Sequence, residues 1–319
     1  PGDTVVDPLC GVGPIPLEAC LQNRIGIGND LSELAFCVSK AKLEKPDETN
    51  CLQVLNALHS YITREKQSST IEAQFGFNGK LPDYFHQDTF REILCARNYF
   101  APRIKTLSSA EAMVFSCLLH ILHGNRPYAL SRNSHPLTPY APTGEFVYKN
   151  VVEHIKEKLN ASFQKGNFDH YKPGKALCGD YKELGTHNIS ADAIICSPPF
   201  ADSMRFYMQN WMRLWLCGWE EADYREADNI FLDQKQRRNF DVYVPFFKMC
   251  ASILNPNGKV ILHLGKTETI DMAEELSKRA SPYFVEVYRG TENVQKIEKY
   301  GIKDKGKTIE HQYLFLMKK

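Results

Sequence analysis

The 319-residue sequence predicts an α/β fold: a doubly wound, Rossmann-like sheet of seven strands, mostly parallel, with an antiparallel C-terminal strand and a largely helical insertion. Short apolar or β-branched runs alternate with helical patterns, and this alternation favours right-handed crossovers between parallel strands. The last two strand patterns have no full helix between them, which indicates antiparallel pairing. About 145 residues separate the second and third strand patterns, far more than a short connection needs, and they predict the insertion.

The predicted elements alternate along the chain. The strand patterns are Thr4–Pro8, Arg24–Asn29, Ala176–Cys178, Ala193–Cys196, Lys259–Leu264, Phe284–Tyr288 and Gln312–Met317. Helical patterns accompany them at Ile15–Gln22, Glu33–Leu43, Phe206–Cys217, Val244–Leu254 and Ile270–Ala280. Within the insertion, helices are predicted at Glu48–Thr63, Gln87–Tyr99, Ser108–Gly124 and Tyr148–Gln164. We therefore assign residues 1–45 and 170–319 to one domain and residues 46–169 to the insertion.

The net charge, the cysteine spacing and the apolar runs of the sequence limit which classes of protein it can belong to. A net charge of +1 provides no global basic field, which argues against a nonspecific nucleic-acid binder but does not exclude a local basic cleft. The ten cysteines lack paired metal-site spacing, so we expect free thiols, no metal and a reducing compartment. No apolar run reaches about 18 residues, so no membrane span is predicted. We expect a cytoplasmic protein, associated with the nucleoid in a bacterium, or a nuclear protein in a eukaryote.

The first strand leads into a glycine turn in the sequence VVDPLCGVGPIPLEA. Gly11 and Gly13 allow a tight turn and a close approach to a ligand, although a purely structural turn explains them equally well. Asp7 ends this strand, and Asp30 ends the next one at the spacing from which an acid reaches ribose hydroxyls. The loop lacks a third glycine and a Walker lysine, which disfavours dinucleotides and triphosphates. An acidic, glycine-rich pocket suits S-adenosylmethionine, which has a cationic sulfonium and no phosphate.

The fourth strand pattern ends abruptly in Ser197-Pro198-Pro199-Phe200. The two prolines remove backbone donors and fix φ, so that carbonyl groups point outward without internal partners. A stiff turn that ends the strand is the structural explanation.

These segments resemble a known family of enzymes. DPLCGVG and the later GIGNDLSELA look like the cofactor motif of amino-methyltransferases, although Leu9 and Pro14 replace the usual phenylalanine and threonine. The run ending in Phe200 resembles the tetrapeptide of DNA N4-cytosine and N6-adenine methyltransferases. The resemblance implies a Rossmann-like methyltransferase domain that binds S-adenosylmethionine. Its cofactor-binding residues would be Asp7, Pro8, Cys10, Gly11, Gly13, Asp30, Leu31, Asp180 and Tyr181.

The resemblance also implies a mechanism. Ser197 Oγ and the Pro198 carbonyl would hold the amino group of a base flipped out of DNA, with Pro199 stiffening the turn and Phe200 stacking on the base. Transfer would be a direct displacement, and the absence of a Pro-Cys pair argues against C5-cytosine chemistry. Serine at the first position favours cytosine N4. N6-adenine methylation, RNA guanine-N2 methylation and a non-catalytic subunit with this fold remain the alternatives.

Target recognition is assigned to a proline-rich loop of the insertion. Arginine and asparagine side chains suit guanine and adenine edges, but a stiff surface loop explains the same residues. The candidate DNA contacts in this loop are Arg126, Arg132, Asn133 and His135, and Arg205 is a further candidate in the aromatic segment that follows the tetrapeptide. A lysine-rich stretch from 296 to 307 either follows phosphates or forms a solvated hairpin tip. We also expect an upstream segment or a partner chain to complete the cofactor pocket.

Overall fold

The computed structural model describes residues 1–67, 76, 80–121, 145–164, 170–201, 206–294 and 308–319, and the backbone of 298–299 and 302–303. Its strands are β1 (Thr4–Asp7), β2 (Ile25–Asp30), β3 (Lys175–Cys178), β4 (Ala191–Cys196), β5 (Leu254–Lys266), β6 (Phe284–Asn293), β7 (Glu298–Lys299), β8 (Ile302–Lys303) and β9 (Glu310–Lys318). Seven of them form one sheet in the order β3-β2-β1-β4-β5-β9-β6, and β7 pairs with β8 alone.

The large sheet confirms the predicted fold class. Strands β1 to β5 run parallel, and β9 pairs antiparallel with both β5 and β6. The strand order reverses direction between β1 and β4, and in open α/β sheets ligands bind beyond the carboxyl ends of the strands at such a switch point. The ends of β1, β2 and β4 are therefore the part of the fold in which a site is expected.

The described helices accompany the strands and fill the insertion. They are α1 (Pro14–Leu21), α2 (Glu33–Leu43), α3 (Glu48–Glu65), α4 (Gln87–Phe100), α5 (Ser109–Ile121), α6 (Val151–Gln164), α7 (Phe206–Gln209), α8 (Trp211–Leu216), α9 (Glu221–Ile230), α10 (Leu232–Lys235), α11 (Val244–Ile253) and α12 (Met272–Ala280). The chain divides into a sheet unit (1–39, 170–205 and 226–319) and a helical unit (40–169 and 206–225).

The core of the sheet unit is built from alternate strand residues and two helices. Val6, Ile194 and Val260, on three adjacent strands, have no exposed surface. Phe246 of α11 and Leu276 of α12 belong to the same buried cluster. Each fully buried side chain of this size contributes about 1.5–3 kcal/mol by leaving water. The apolar surface thus fixes the strand register on which the positions of the polar strand ends depend.

The helical unit is organised around a buried carboxylate. Glu92 of α4 accepts hydrogen bonds from Lys66 Nζ and the Tyr148 hydroxyl at 2.8 Å each, and from the Val151 amide at 2.8 Å at the start of α6. These bonds provide the partners that a buried charge requires. The segment 206–225 packs in this unit, where Arg97 Nε donates to the Trp215 carbonyl at 2.8 Å.

The described residues contain neither a membrane-spanning helix nor a cluster of metal ligands. No helix among them has the length and apolarity to cross a membrane. They also contain no group of three or more histidine, cysteine, aspartate or glutamate side chains arranged to hold a metal ion. All ten cysteines have free thiols, and nine of them are buried.

Candidate active site

Three adjacent strands of the sheet carry polar residues at their carboxyl ends. Strand β1 pairs in parallel with β2 on one side and with β4 on the other, with Val5 opposite both Gly26 and Ala193. Asp7 and Asp30 are the last residues of β1 and β2, and Ser197 follows the last residue of β4. The glycine turn and the serine-proline tetrapeptide therefore start from adjacent strands and from the same ends of those strands.

The glycine turn is held by the carboxylate at the end of the neighbouring strand. The Gly11 amide donates to Asp30 Oδ2 at 2.9 Å, and the Gly13 amide donates to the Cys10 carbonyl at 2.9 Å. Gly11 and Gly13 have φ values of +52° and +72°, a region in which residues with a Cβ are strained. Asp30 Oδ1 also accepts from the Ser32 amide at 2.9 Å, so this carboxylate holds both the glycine turn and the start of the loop after β2.

Ser39 of α2 supports the same turn from behind. Its hydroxyl donates to the Gly11 carbonyl at 3.0 Å and lies 3.5 Å from Cys10 Sγ. A Cβ added to Gly13 would lie 2.8 Å from Ser39 Oγ, so the turn and the helix are in direct contact. Ser39 was not predictable from the sequence, because its position in the helix pattern indicates only that it lies on a buried face.

Asn29 connects the ends of three strands. It was not identified as a site residue from the sequence. Its buried amide nitrogen donates to the carbonyls of Pro8 and Gly179, each at 3.1 Å. The Gly179 amide in turn donates to the Asp30 carbonyl at 3.0 Å. These contacts connect residues that are up to 150 positions apart in the chain. Asn29 therefore holds the loops after β1 and β3 against the end of β2.

The two carboxyl groups have raised pKa values. Burial raises the pKa of Asp7 to about 7, and the charge of Asp30 also contributes, whereas hydrogen bonds from the Cys196 thiol and the Leu9 amide oppose the shift. Removal from water raises the pKa of Asp30 to about 6, against the lowering effect of amides that include those of Ser32 and Gly11. A cationic ligand would stabilise both ionised carboxylates and would lower both pKa values.

The other predicted cofactor residues occupy different environments. Asp180 caps a short 3-10 helix by accepting from the Lys182 amide at 3.0 Å, and its other oxygen lies 3.3 Å from Lys182 Nζ. The Tyr181 side chain is buried, and its hydroxyl donates to the Val242 carbonyl at 3.2 Å. The hydroxyl of Tyr181 is therefore engaged within the fold. Pro8 is buried and Leu31 is half-buried.

The site fits a cationic, phosphate-free nucleoside. Gly11 has open space where a Cβ would project, so a ligand can approach its main chain. The Ser32 hydroxyl, two residues after Asp30, is buried and has no hydrogen-bond partner in the described part of the chain. An unsatisfied buried hydroxyl costs about 1–3 kcal/mol, which a polar ligand atom would offset. Asp7 and Asp30 supply the negative charge that suits a sulfonium and an ammonium group.

A buried glutamine holds the tetrapeptide. Gln236 Nε2 donates to the Pro199 and Phe200 carbonyls at 3.0 and 3.1 Å, and the Tyr243 hydroxyl donates to Gln236 Oε1 at 2.8 Å. Among the described residues none donates to the Pro198 carbonyl. The Ser197 side chain is exposed, and its Oγ lies 3.2 Å from His263 Nδ1. Gln236 and His263 were both missed, since they lie more than thirty residues away in the sequence.

The Phe200 ring lies over a glycine of β5. A Cβ added to Gly265 would lie 2.7 Å from Cδ2 of that ring, while the edges of His263 and His311 approach it with centroids at 5.3 and 5.6 Å. Phe200 is only partly buried, and its position beside Ser197 is compatible with a second ring stacking against it.

Gly265→Ala is expected to displace the Phe200 ring. Overpacking at this contact is expected to lower the free energy of unfolding by about 1–3 kcal/mol, measured by urea denaturation. Gly290→Ala is the control, because its closest contact is the flexible end of Tyr288 at 3.1 Å. Equal stability of the two variants would show that Phe200 does not depend on the space above Gly265.

The predicted DNA-contacting residues lie outside the described part of the chain. They are Arg126, Arg132, Asn133, His135 and Arg205. The side chains of the lysine-rich stretch from 296 to 307 also lie outside it, although the backbone of β7 and β8 is described.

Comparison with known proteins finds weak structural similarities and no sequence match. No protein-family model matches the sequence, and no curated protein matches it. Among solved structures, TrmN from Thermus thermophilus aligns with 13% identity and a TM-score of 0.34 over 100% of this chain and 45% of TrmN. The rRNA methyltransferase aviRa from Streptomyces viridochromogenes aligns with 10% identity and a TM-score of 0.33 over 99% of this chain and 76% of aviRa.

A third match is SMU.776, a candidate methyltransferase complexed with SAH, with 10% identity and a TM-score of 0.26 over 52% of this chain and 37% of that protein. The present chain thus spans less than half the length of TrmN and of SMU.776. The assignment of the fold rests on the strand order of the seven-stranded sheet.

Proposed function

We propose that this chain is an S-adenosylmethionine-dependent methyltransferase that modifies the exocyclic amino group of a flipped base in DNA, with N4 of cytosine as the target. The observation that carries the proposal is the juxtaposition of two groups of residues on adjacent parallel strands. The acidic glycine turn follows β1, and Ser197 with its proline carbonyls follows β4. A methyl donor and an amine acceptor would then meet at the switch point of the sheet.

The glycine turn and its acids would hold the cofactor. The Asp7 carboxylate is suited to the ammonium group at the methionine end, and Asp30 to the ribose hydroxyls, because carboxylates accept hydrogen bonds strongly from both. Asp180, after β3, would face the adenine ring. Bound S-adenosylmethionine would supply an electrophilic methyl group on its sulfonium. Residues of this chain would align that group with the amine and exclude water from it.

The tetrapeptide would hold the amine. An exocyclic amine on a base is a weak nucleophile, because its lone pair is delocalised into the ring. Ser197 Oγ and the Pro198 carbonyl would each accept one of its N–H bonds and favour a tetrahedral nitrogen whose lone pair faces the methyl group. Gln236 donates to the carbonyls of Pro199 and Phe200, whereas no described residue donates to that of Pro198, which would accept from the substrate. Phe200 would stack on the base.

Analysis of the methylated nucleoside tests this proposal. The chain is incubated with methyl-labelled S-adenosylmethionine and amplified, hence unmethylated, genomic DNA, and the digest is separated by mass spectrometry. N4-methyldeoxycytidine is the expected product, and labelling of N6 of adenine would correct the target base. Label in tRNA or rRNA guanosine alone would contradict a DNA substrate. Cofactor binding without label in any nucleic acid would instead indicate a non-catalytic subunit.

A further inference from the structure

A histidine of β5 contacts the proposed amine-binding hydroxyl directly. Ser197 Oγ lies 3.2 Å from His263 Nδ1, across 66 residues of sequence. The contact follows from the strand register, because Cys196 of β4 is paired with Leu262 of β5. Ser197 comes directly after Cys196, and His263 comes directly after Leu262. The parallel pairing of two core strands therefore brings these two side chains together.

The imidazole of His263 is held by rings on three sides. It stacks on Tyr313 of β9, with ring centroids 5.2 Å apart and planes 18° apart. The rings of His311 and Phe200 lie roughly perpendicular to it, at centroid distances of 4.8 and 5.3 Å. Such packing fixes the plane of the ring, so that Nδ1 stays directed at the Ser197 hydroxyl.

The hydroxyl of Ser197 has one proton and two lone pairs. It accepts from a substrate amine only while its own proton points elsewhere. An unprotonated Nδ1 of His263 takes that proton in a hydrogen bond, which leaves the lone pairs of Oγ for the amine. A protonated imidazole would donate to Oγ instead and would compete with the amine for those lone pairs.

We propose that His263 is a positioning residue that fixes the Ser197 hydroxyl as an acceptor and receives the proton that the methylated amine releases. This inference rests on the proposed function. As the N–CH₃ bond forms and the S–CH₃ bond breaks, the nitrogen becomes cationic and the sulfonium becomes a thioether. The excess proton passes from nitrogen to Ser197 Oγ while the hydroxyl proton passes to His263 Nδ1. The resulting imidazolium then loses its proton to water, which restores the starting state.

The arrangement makes methyl transfer depend on pH. Among the described residues, the groups that contact His263 include Ser197 and Phe200 of the tetrapeptide, and His311 and Tyr313 of β9. The Tyr313 hydroxyl donates to Glu292 at 3.3 Å, so its polar end is engaged away from the histidine. A positive charge on His311 would disfavour an imidazolium at His263. The transfer rate should fall as pH decreases and His263 becomes protonated.

Two variants separate positioning from packing. His263→Phe retains a ring but removes the acceptor, and His263→Asn retains an acceptor oxygen near the Nδ1 position that does not titrate. We expect single-turnover methyl transfer at pH 8 to fall about 10-fold in His263→Phe, the loss of about one hydrogen bond. His263→Asn should recover part of that rate and lose the decline at low pH. His187→Phe, at an exposed histidine, is the control and should be unchanged.

Nitrogen-15 NMR of the histidine rings, without cofactor or DNA, gives an independent readout. We expect Nδ1 of His263 to be unprotonated at pH 8 and its titration midpoint to move in Ser197→Ala. A wild-type rate and pH profile in His263→Phe, or a protonated Nδ1 at pH 8, would overturn the inference. If the wild-type chain transfers no methyl group to any nucleic acid, the proposed function fails, whereas the NMR result still decides whether the serine and histidine are paired.

Discussion

Ser197→Ala is expected to lower the rate constant for methyl transfer by about 100- to 1000-fold, the usual cost of removing one hydrogen-bonding group that stabilises a transition state. The hydroxyl would act on the amine as it becomes cationic, so the loss should fall on the chemical step. The dissociation constant of S-adenosylmethionine should stay within about 2-fold, because the proposed cofactor residues lie at the ends of β1, β2 and β3 and in the loops that follow them. Single-turnover kinetics and calorimetric titration measure the two quantities.

The matched control is Ser281→Ala. Ser281 is exposed at the end of α12, and its hydroxyl donates to the Lys278 carbonyl at 2.8 Å. Ser281 precedes β6, whose first residue, Phe284, is paired with Lys318 at the end of β9. Because β9 runs antiparallel to β5, Ser281 lies at the opposite end of the strands from Ser197. Its loss should leave transfer unchanged. Comparable losses in both serine variants, or an unaltered rate in Ser197→Ala, would remove the tetrapeptide from the proposed chemistry.

Cofactor affinity is expected to increase about 100-fold from pH 5 to pH 8. A carboxyl with a pKa of about 7, as at Asp7, is ionised to about 1% at the lower pH and about 90% at the higher one. Because the cationic cofactor binds the ionised form, binding should release a proton in this range. Calorimetric titration in buffers of different ionisation enthalpy measures both the affinity and the number of protons released.

Asp7→Asn should weaken binding at pH 8 and remove most of the pH dependence. Asp192→Asn is the control, because hydrogen bonds from Thr4 and Asn255 lower the pKa of Asp192 and keep it ionised throughout this range. The stability of the cofactor-free chain depends on pH in the opposite direction. Burial of neutral Asp7 contributes stability that is present below about pH 4 and is lost as the pH rises through about 7. An affinity that is independent of pH in the wild type would place the cofactor away from Asp7.

The sequence predicted the sheet well because strand ends carry local signals. The β-branched runs ending in Asp7 and Asp30, and the paired prolines after Cys196, marked three strands and the edge at which they end. The boundaries of β6 were less accurate. This strand continues to Asn293, five residues beyond the predicted Tyr288, because its polar end pairs with β9.

The supporting residues of the site were not predictable from local patterns. Asn29, Ser39, Gln236 and His263 each act through a partner at least 21 residues away, which periodicity does not report. The segment 206–217 gave one aromatic helical pattern, but it forms the two short helices α7 and α8, separated at Asn210. Its aromatic residues predicted that the segment is buried, but not which residues it packs against. The segment belongs to the helical unit.

A crystal structure of the chain with S-adenosylhomocysteine tests the central claim most directly. We expect the nucleoside beside Asp30, the amino acid end beside Asp7, and the sulfur atom facing the Ser197 hydroxyl between the ends of β1 and β4. A ligand bound at another edge of the sheet, or a Ser197 side chain directed away from the sulfur, would contradict a shared cavity for methyl donor and amine.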